Sequence, residues 1–183
     1  LKINRCQAIR NSAAVEVKGT VDLSVPSSPR LDLPIALHSG NLADYLAMVK
    51  QAYPLDGALK ALQTTITGPV DNLRGEIAIA VSNGTAWGQS FDQLSGKAAL
   101  ANNRVQLTSF TVKKNGGKVV LDGFCGFDLA FRAALTATDL NVHDIDAFKK
   151  IAMQYQGRAD LTFEAEGTLQ DPRGKGALRF KNL

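Results

Sequence analysis

Few side chains in this sequence could do chemistry, and their spacing matches no catalytic pattern. His143, Asp144 and Asp146 could hold zinc or calcium, because imidazole and carboxylate groups are ligands of these ions. On a helix, however, residues 144 and 146 point in different directions, and Asp144 is well placed to favour a helix N-terminus. His38 stands at a predicted strand end with no partner indicated by spacing. Without a paired nucleophile or a phosphate-binding loop, the sequence predicts no catalytic role, no metal and no cofactor.

The cysteines and short glycine motifs have structural explanations. Cys6 and Cys125 are too few for a disulfide framework or a four-ligand metal site, and the sequence favours two small apolar strand residues over a bridge. Gly123-Phe124-Cys125-Gly126 and Gly174-Lys175-Gly176 are too short for nucleotide-binding loops and fit turns or bulges. Asn83-Gly84-Thr85 matches a glycosylation sequon, but a hairpin turn explains it fully.

Composition and charge narrow the function classes. The 183 residues are 45% hydrophobic and 21% charged, which is typical of a folded domain and excludes disorder and a collagen-like chain. The net charge of +4 comes from scattered basic residues without interleaved aromatic ones, so nucleic acid is not an expected partner. No apolar run reaches about 18 residues, and the chain does not start with Met. We therefore expect a segment of a longer protein.

Alternation of apolar and polar residues runs through most of the chain and predicts strands with one apolar face. Between Phe127 and Leu135 the odd positions are apolar, whereas Asp128 and Arg132 occupy even ones. Turn-forming pairs separate such runs and predict antiparallel hairpins at Asn83-Gly84, Asn102-Asn103, Asn115-Gly116-Gly117 and Asp122-Gly123. The candidate residues of an apolar groove are Val15, Val17, Val21, Leu23, Leu33, Ile35, Leu37, Ile77, Ile79, Val81, Phe127, Leu129, Phe131, Leu135, Leu161 and Phe163.

Two stretches have helical spacing instead and predict short amphipathic helices over about 42–53 and about 144–155. Asn41 or Asp44 could cap the first helix. The two helices mark an internal repeat, because Asp44 and Gly57 recur 100 residues later as Asp144 and Gly157. We interpret residues 1–118 as one repeat unit and 119–183 as part of a second, within one continuous fragment.

Two short helices are too few to cover at least ten apolar strand faces. The sheet must therefore fold into a sandwich or closed barrel, or curl into a trough whose interior can face a ligand. Tandem units favour the trough, so we predict a mostly β fold, an elongated curled antiparallel sheet that forms a half-pipe. An acyl chain would suit such a groove, because each buried methylene is worth about 0.8 kcal/mol.

The strand and turn pattern resembles a known family. It is carried by Gly68–Ile77 followed by Asn83-Gly84, by Trp87–Gly96, by Asn103–Leu107 and by Gly116–Gly123. These stretches are similar to the C-terminal translocation-and-assembly-module region of the TamB-like proteins, which belong to the AsmA-like superfamily of Gram-negative bacteria. The resemblance covers nearly all of residues 13–183.

The resemblance implies one section of a hydrophobic groove, the β-taco, in a periplasmic protein anchored in the inner membrane. Such a groove would conduct phospholipid to the outer membrane and support outer-membrane protein and autotransporter assembly, without enzymatic activity. The implied partners are phospholipid, a TamA-like outer-membrane barrel of the Omp85 class and unfolded outer-membrane proteins. An alternative is a scaffold that adds client strands at an edge strand near Leu178 and Phe180, without lipid carriage. Lipid identity and transport direction are left open.

Overall fold

The computed structural model describes residues 1–50, 53–144, 157–168 and 170–181. In these ranges the chain forms thirteen strands, one α-helix and one short 3-10 turn. The first half contains β1 (Lys2–Arg10), β2 (Ala13–Asp22), β3 (Arg30–Leu37), β4 (Gly40–Asn41), α1 (Leu42–Met48), β5 (Leu55–Leu59), β6 (Leu62–Pro69) and β7 (Gly75–Ala86). The second half contains β8 (Gln89–Ala101), β9 (Arg104–Lys114), β10 (Gly117–Gly126), β11 (Ala130–Asn141), the 3-10 turn (Val142–Asp144), β12 (Arg158–Thr168) and β13 (Pro172–Lys181).

The predicted fold class is confirmed, since the chain is mostly β, all strand pairs are antiparallel and the sheets do not close into a barrel. Hydrogen bonds define a four-stranded sheet in the order β1-β2-β3-β6 and a nine-stranded sheet in the order β13-β12-β11-β10-β9-β8-β7-β5-β4. The described residues contain one helix. The second predicted helix lies at 145–156, outside the described residues, except for Asp144 in the 3-10 turn.

The two sheets are parts of one meander. The pairs Leu37–Leu62 and Gly40–Leu59 belong to one register, so β3 with β4 and β5 with β6 form a single interrupted hairpin whose connection contains α1. Backbone hydrogen bonds join this hairpin to β7 and to the residue before it, at two separate places. Lys60 N donates to Ala80 O at 2.9 Å, and Thr67 and Arg74 exchange backbone hydrogen bonds of 2.8 and 2.7 Å.

Corresponding glycines occupy corresponding places in the two halves of the meander. Gly57 and Gly157 have φ values of 143° and 156°, and Gly68 and Gly167 have values of 107° and 125°. A Cβ atom at Gly68 would lie 2.8 Å from the Asn72 carbonyl oxygen, which no side chain tolerates. Strands β5–β6 and β12 therefore need glycine at these positions. The unit boundary at 118/119 stays a prediction.

The connections alternate between two ends of the sheet. The helix end carries α1, the Trp87-Gly88 turn and the Asn115-Gly116 turn. The turn end carries the turns after β2, β6, β8 and β10. Among the described residues, six large apolar side chains are exposed at the turn end, namely Leu1, Leu23, Val25, Val70, Phe127 and Leu129.

Burial is concentrated at the helix end. Ala13, Leu59, Val81 and Phe91 form a buried cluster with Tyr45 of α1. Elsewhere the sheet is much less covered, and the accessible surface of the chain is 11873 Å². A compact globule of this mass would expose about 8,500 Å². This excess of about 40% is consistent with a sheet that the described residues cover only in part.

Several predicted element boundaries were wrong. Phe127 and Leu129 lie in the turn between β10 and β11 instead of in a strand, because Leu129 takes a positive φ of 68° and donates its backbone N–H to Gly126 O at 3.1 Å. Leu23 lies beyond the end of β2 and is exposed. Helix α1 is shorter than predicted and ends at Met48, and Lys50 already has a φ of 56°.

Two predicted turns were also wrong. Asn83-Gly84 lies within β7, and Trp87-Gly88 makes the turn to β8 with φ values of 48° and 79°. Glycine is needed at 84 because a Cβ there would overlap the Phe91 ring. Asp122-Gly123 likewise lies within β10. The turns predicted at Asn102-Asn103 and Asn115-Gly116 are confirmed, with the positive φ values that two-residue hairpin loops require.

Candidate functional site

The register places apolar residues of neighbouring strands on one side of the sheet, because directly opposed side chains point the same way. In the first sheet, Val15 pairs with Leu37 and Leu37 with Leu62. Leu62 packs against the same buried cluster that contains Val81, so the face continues from one sheet to the other. We call this side of the meander the apolar face. One of its rows runs from β7 to β13 through Val81, Leu94, Val112, Val119, Ala137, Leu161 and Leu178.

Most predicted groove residues lie on the apolar face by register and strand alternation. They are Val15, Val17, Val21, Leu33, Ile35, Leu37, Ile77, Ile79, Val81, Phe131, Leu135, Leu161 and Phe163, together with the predicted edge residues Leu178 and Phe180. Leu23, Phe127 and Leu129 are not part of it and lie in turns.

The face also includes residues that the sequence reading did not single out. Leu94, Leu100, Val119 and Leu121 come from β8 and β10. In β8 the alternation of apolar and polar residues is less obvious because Gly96 occupies one of the positions on the apolar face. It lies against the Phe110 ring. A count of small as well as large apolar residues at alternate positions would have identified this strand.

Cover over the apolar face is uneven. Val81 at the helix end is 1% exposed, whereas Phe163 and Leu178 in β12 and β13 are 43% and 47% exposed. The rows of apolar residues offer no hydrogen bonds from their side chains, so they do not favour a polar ligand. Contact between these side chains and water is unfavourable. The arrangement can therefore hold hydrocarbon by burial alone.

Two side chains of α1 fasten the helix to the sheet. The Tyr45 hydroxyl accepts from Ala14 N at 3.2 Å and donates to His38 O at 2.5 Å. The Asp44 carboxylate accepts from Asn11 Nδ2 and Ser12 Oγ, both at 2.8 Å. These bonds, first that from Asn11, lower the pKa of Asp44.

The opposite face of the sheet is polar and charged. Glu16 bridges Arg5 and Lys18 at 2.9 and 2.7 Å, and the Lys18 bond is the main reason that the pKa of Glu16 is lowered. Lys181 lies 2.5 Å from Asp160 and lowers its pKa. The sheet is thus strongly two-faced, with charges on one side and hydrocarbon on the other.

Within the described residues, the candidate metal-binding and catalytic side chains do not cluster. No group of three His, Cys, Asp or Glu side chains there could hold a metal ion. Asp146 lies outside the described ranges. Cys6 and Cys125 are separate free thiols, and Cys125 pairs with Val105 and Phe131 in the sheet. Among the described helices none is long and apolar enough to cross a membrane.

Comparison with family models, with curated proteins and with solved structures finds no match to this chain. A functional conclusion therefore depends on the geometry of the two-faced sheet.

Proposed function

We propose that this chain is a section of a hydrophobic groove that carries the acyl chains of phospholipid between two membranes. The observation that supports the proposal is the apolar face, which runs without a break from β7 to β13, continues onto β2, β3 and β6, and stays partly open. A folded protein normally covers such a face, and a large exposed apolar surface marks a binding site.

The dimensions of the apolar face suit an acyl chain. The meander has eleven lines of strands, and strands lie about 4.8 Å apart, so the face extends about 50 Å across the strands. Each methylene that leaves water gains about 0.8 kcal/mol, independently of its position along the face. Uniform gain without polar anchors allows a chain to slide, which transport requires.

The resemblance to the TamB-like proteins gives the proposal its cellular setting. In that setting the protein is periplasmic and anchored in the inner membrane, and its groove delivers phospholipid outward and supports outer-membrane protein assembly. Its partner there is a TamA-like barrel of the Omp85 class. No residue has a catalytic role in this scheme.

Photocrosslinking tests the groove directly. A photoreactive amino acid replaces Leu135 on the apolar face or, as the matched control, Ala134 on the opposite face of the same strand. We expect phospholipid adducts from position 135 and few from position 134, because only the first contacts the acyl chain. Equal labelling at both positions, or labelling at 134 alone, would contradict the proposal.

Strand β13 supports a second candidate function, the addition of client strands. It is exposed along its whole length and pairs only with β12 among the described strands. In the internal repeat, Gly75 of β7 corresponds to Gly174 of β13, so β7 and β13 are equivalent strands. The edge of β7 that corresponds to the open edge of β13 pairs with β8. A partner strand could therefore add to β13 as β8 adds to β7.

The charges of β13 specify the partner strand. Arg173, Lys175, Arg179 and Lys181 all lie on its charged side. Arg173, Lys175 and Lys181 already pair with Asp171, Glu164 and Asp160, so Arg179 is the basic side chain that favours an acidic residue on the client strand. Arg179→Glu is expected to weaken binding of an acidic, one-sidedly apolar peptide, whereas lipid labelling at Leu135 persists. Lys113→Glu on the distant β9 is the matched control. Unchanged peptide binding by the Arg179 variant would exclude this candidate.

A further inference from the structure

The turn between β7 and β8 carries a residue that its backbone does not favour. Trp87 and Gly88 have φ values of 48° and 79°, and Asn115 and Gly116 in the next turn at the helix end have nearly the same values, 47° and 85°. Two-residue turns of this kind favour asparagine followed by glycine, because asparagine tolerates a positive φ and a bulky side chain is strained there. The turn geometry therefore explains Asn115 and leaves the tryptophan unexplained.

Burial does not explain Trp87 either, because the residue is 68% exposed. Two other large apolar residues at the helix end, Tyr53 and Val49, are 55% and 64% exposed. Trp87 N donates to Pro54 O at 2.9 Å, which places the Tyr53-Pro54 segment beside the turn. Val49 precedes Tyr53 by four residues, so their Cα atoms are at most about 14 Å apart. We call Val49, Tyr53 and Trp87 the apolar tip.

The β7–β8 turn of the apolar tip projects beyond its neighbour. Gln89, Ser90 and Phe91 of β8 pair with β7, whereas pairing with β9 starts only at Gln93. The β7–β8 hairpin therefore extends past the β9–β10 turn by about three residues, or about 10 Å. A projecting group of apolar side chains can touch a flat surface, and it offers no concave site for a small ligand.

Basic side chains surround the apolar tip. Lys50 is exposed just beyond α1, and the Arg10 guanidinium donates to Ala47 O in α1 at 3.5 Å. Lys113 and Lys118 are both exposed and lie directly opposite each other in β9 and β10, beside the next turn. Like charges in opposed positions repel each other, so this pair costs stability unless an anionic partner compensates it.

The carboxylates near the apolar tip already have protein partners. Asp44 is bonded to the β1–β2 turn. Asp56 accepts from Asn41 Nδ2 at 2.7 Å, and Asp92 accepts from Asn115 N at 2.9 Å. The described basic residues around the tip outnumber these three carboxylates, so the net charge of the region is positive and favours an anionic surface.

We propose that the apolar tip contacts a bilayer surface that contains anionic phospholipid. Tryptophan and tyrosine favour the headgroup region of a bilayer, because their rings are apolar and carry one polar atom. Lysine and arginine near such a surface each raise the affinity about fivefold by attraction to anionic headgroups. The inference goes beyond the proposed groove, because docking to a surface and holding an acyl chain depend on different residues.

Tryptophan fluorescence of the whole chain tests the proposal directly, since Trp87 is the only tryptophan in the sequence. With vesicles of three parts phosphatidylcholine and one part phosphatidylglycerol, we expect a blue shift of the emission. We also expect quenching by phospholipids that are brominated near the headgroup end of the acyl chain. Added salt and vesicles of pure phosphatidylcholine should both weaken binding, because they remove the attraction between charges. An unchanged spectrum with the anionic vesicles would overturn the proposal.

Trp87→Asn isolates the contact, because asparagine suits the turn and the fold is expected to persist. In cosedimentation with the anionic vesicles we expect a loss of affinity of about tenfold or more, the effect of removing one large apolar side chain from its contact. Lys50→Glu should weaken binding to the same vesicles about fivefold or more. Leu129→Asn is the matched control, because Leu129 is also exposed and has a positive φ of 68°, but lies at the turn end.

The outcomes separate this inference from the proposed function. Full vesicle binding by the Trp87→Asn variant, or an equal loss in the Leu129→Asn variant, would show that the apolar tip is not the contact. Vesicle binding through Trp87 without phospholipid labelling at Leu135 would support the docking surface and overturn the groove. Labelling at Leu135 with a Trp87 spectrum that vesicles leave unchanged would support the groove and overturn the docking surface.

Discussion

At the scale of single residues, the attachment of α1 depends on two neighbouring side chains with different partners. Tyr45 reaches the backbone at Ala14 and His38, and Asp44 reaches the β1–β2 turn at Asn11 and Ser12. Both sets of bonds hold the helix over the buried end of the apolar face. The helix thereby seals one end of the face and leaves the strands beyond it accessible.

Asp44 predicts a pH dependence of stability. Its pKa is lowered in the folded protein, so its stabilisation is complete above the ordinary carboxyl pKa of about 3.9 and disappears as the pH falls through the lowered value. Asp44→Asn should therefore lower the free energy of unfolding at pH 7 and lower it less at pH 2, measured by urea denaturation. Asp32→Asn, at an exposed carboxyl of β3, is the control. The same loss at both pH values would contradict the assigned role.

At the scale of elements, glycines within strands let neighbouring backbones approach closely. A Cβ at Gly19 would overlap Asp32 O, and one at Gly123 would overlap Arg132 O, at corresponding positions of β2 and β10. Register shifts also occur within β9–β10 and β8–β9 pairing. Bulges and strand glycines increase twist and curvature, which a trough requires.

Gly123→Ala tests this role of strand glycines. The added methyl group has no space against Arg132 O, so we expect a loss of about 1–3 kcal/mol in the free energy of unfolding. Gly88→Asn is the matched control, because Gly88 lies in an open turn with nothing within 4 Å and asparagine tolerates its positive φ of 79°. Equal losses for both variants, measured by chemical denaturation, would show that the close approach is unimportant.

At the scale of the whole molecule, the sheet is a single open meander. Its strands at the two margins, β1 and β13, have no described strand beyond them. The exposed area of 11873 Å² is consistent with this openness, since within the described ranges α1 is the one helix over the sheet. Under the proposed function, an acyl chain covers the open part of the apolar face.

Small-angle X-ray scattering checks the open shape. A compact monomer of 183 residues has a radius of gyration of about 16 Å. We expect a clearly larger value for the monomeric protein, because an extended single-layer trough spreads its mass. A sealed sandwich would give the compact value instead and would contradict both the open face and the proposed groove. Sedimentation in the same buffer controls for self-association.

The sequence by itself determined the strand class and the residues that share a face, because a period of two leaves only one side for Val15, Val17, Leu135 and their neighbours. It also located α1, whose apolar residues recur at helical spacing. Local pattern could not decide that Leu129 turns with a positive φ, since that depends on the β10–β11 pairing.

Only the tertiary structure decided how far the apolar face is covered and what meets at the turn end. Asp71, Arg104 and Asp128 are far apart in the chain, and three separate hairpin registers bring them to one cavity. The alternation of apolar and polar residues indicates only to which face of its own strand a side chain points. It carries no information on contacts between strands, which arise from pairing, bulges and curvature together.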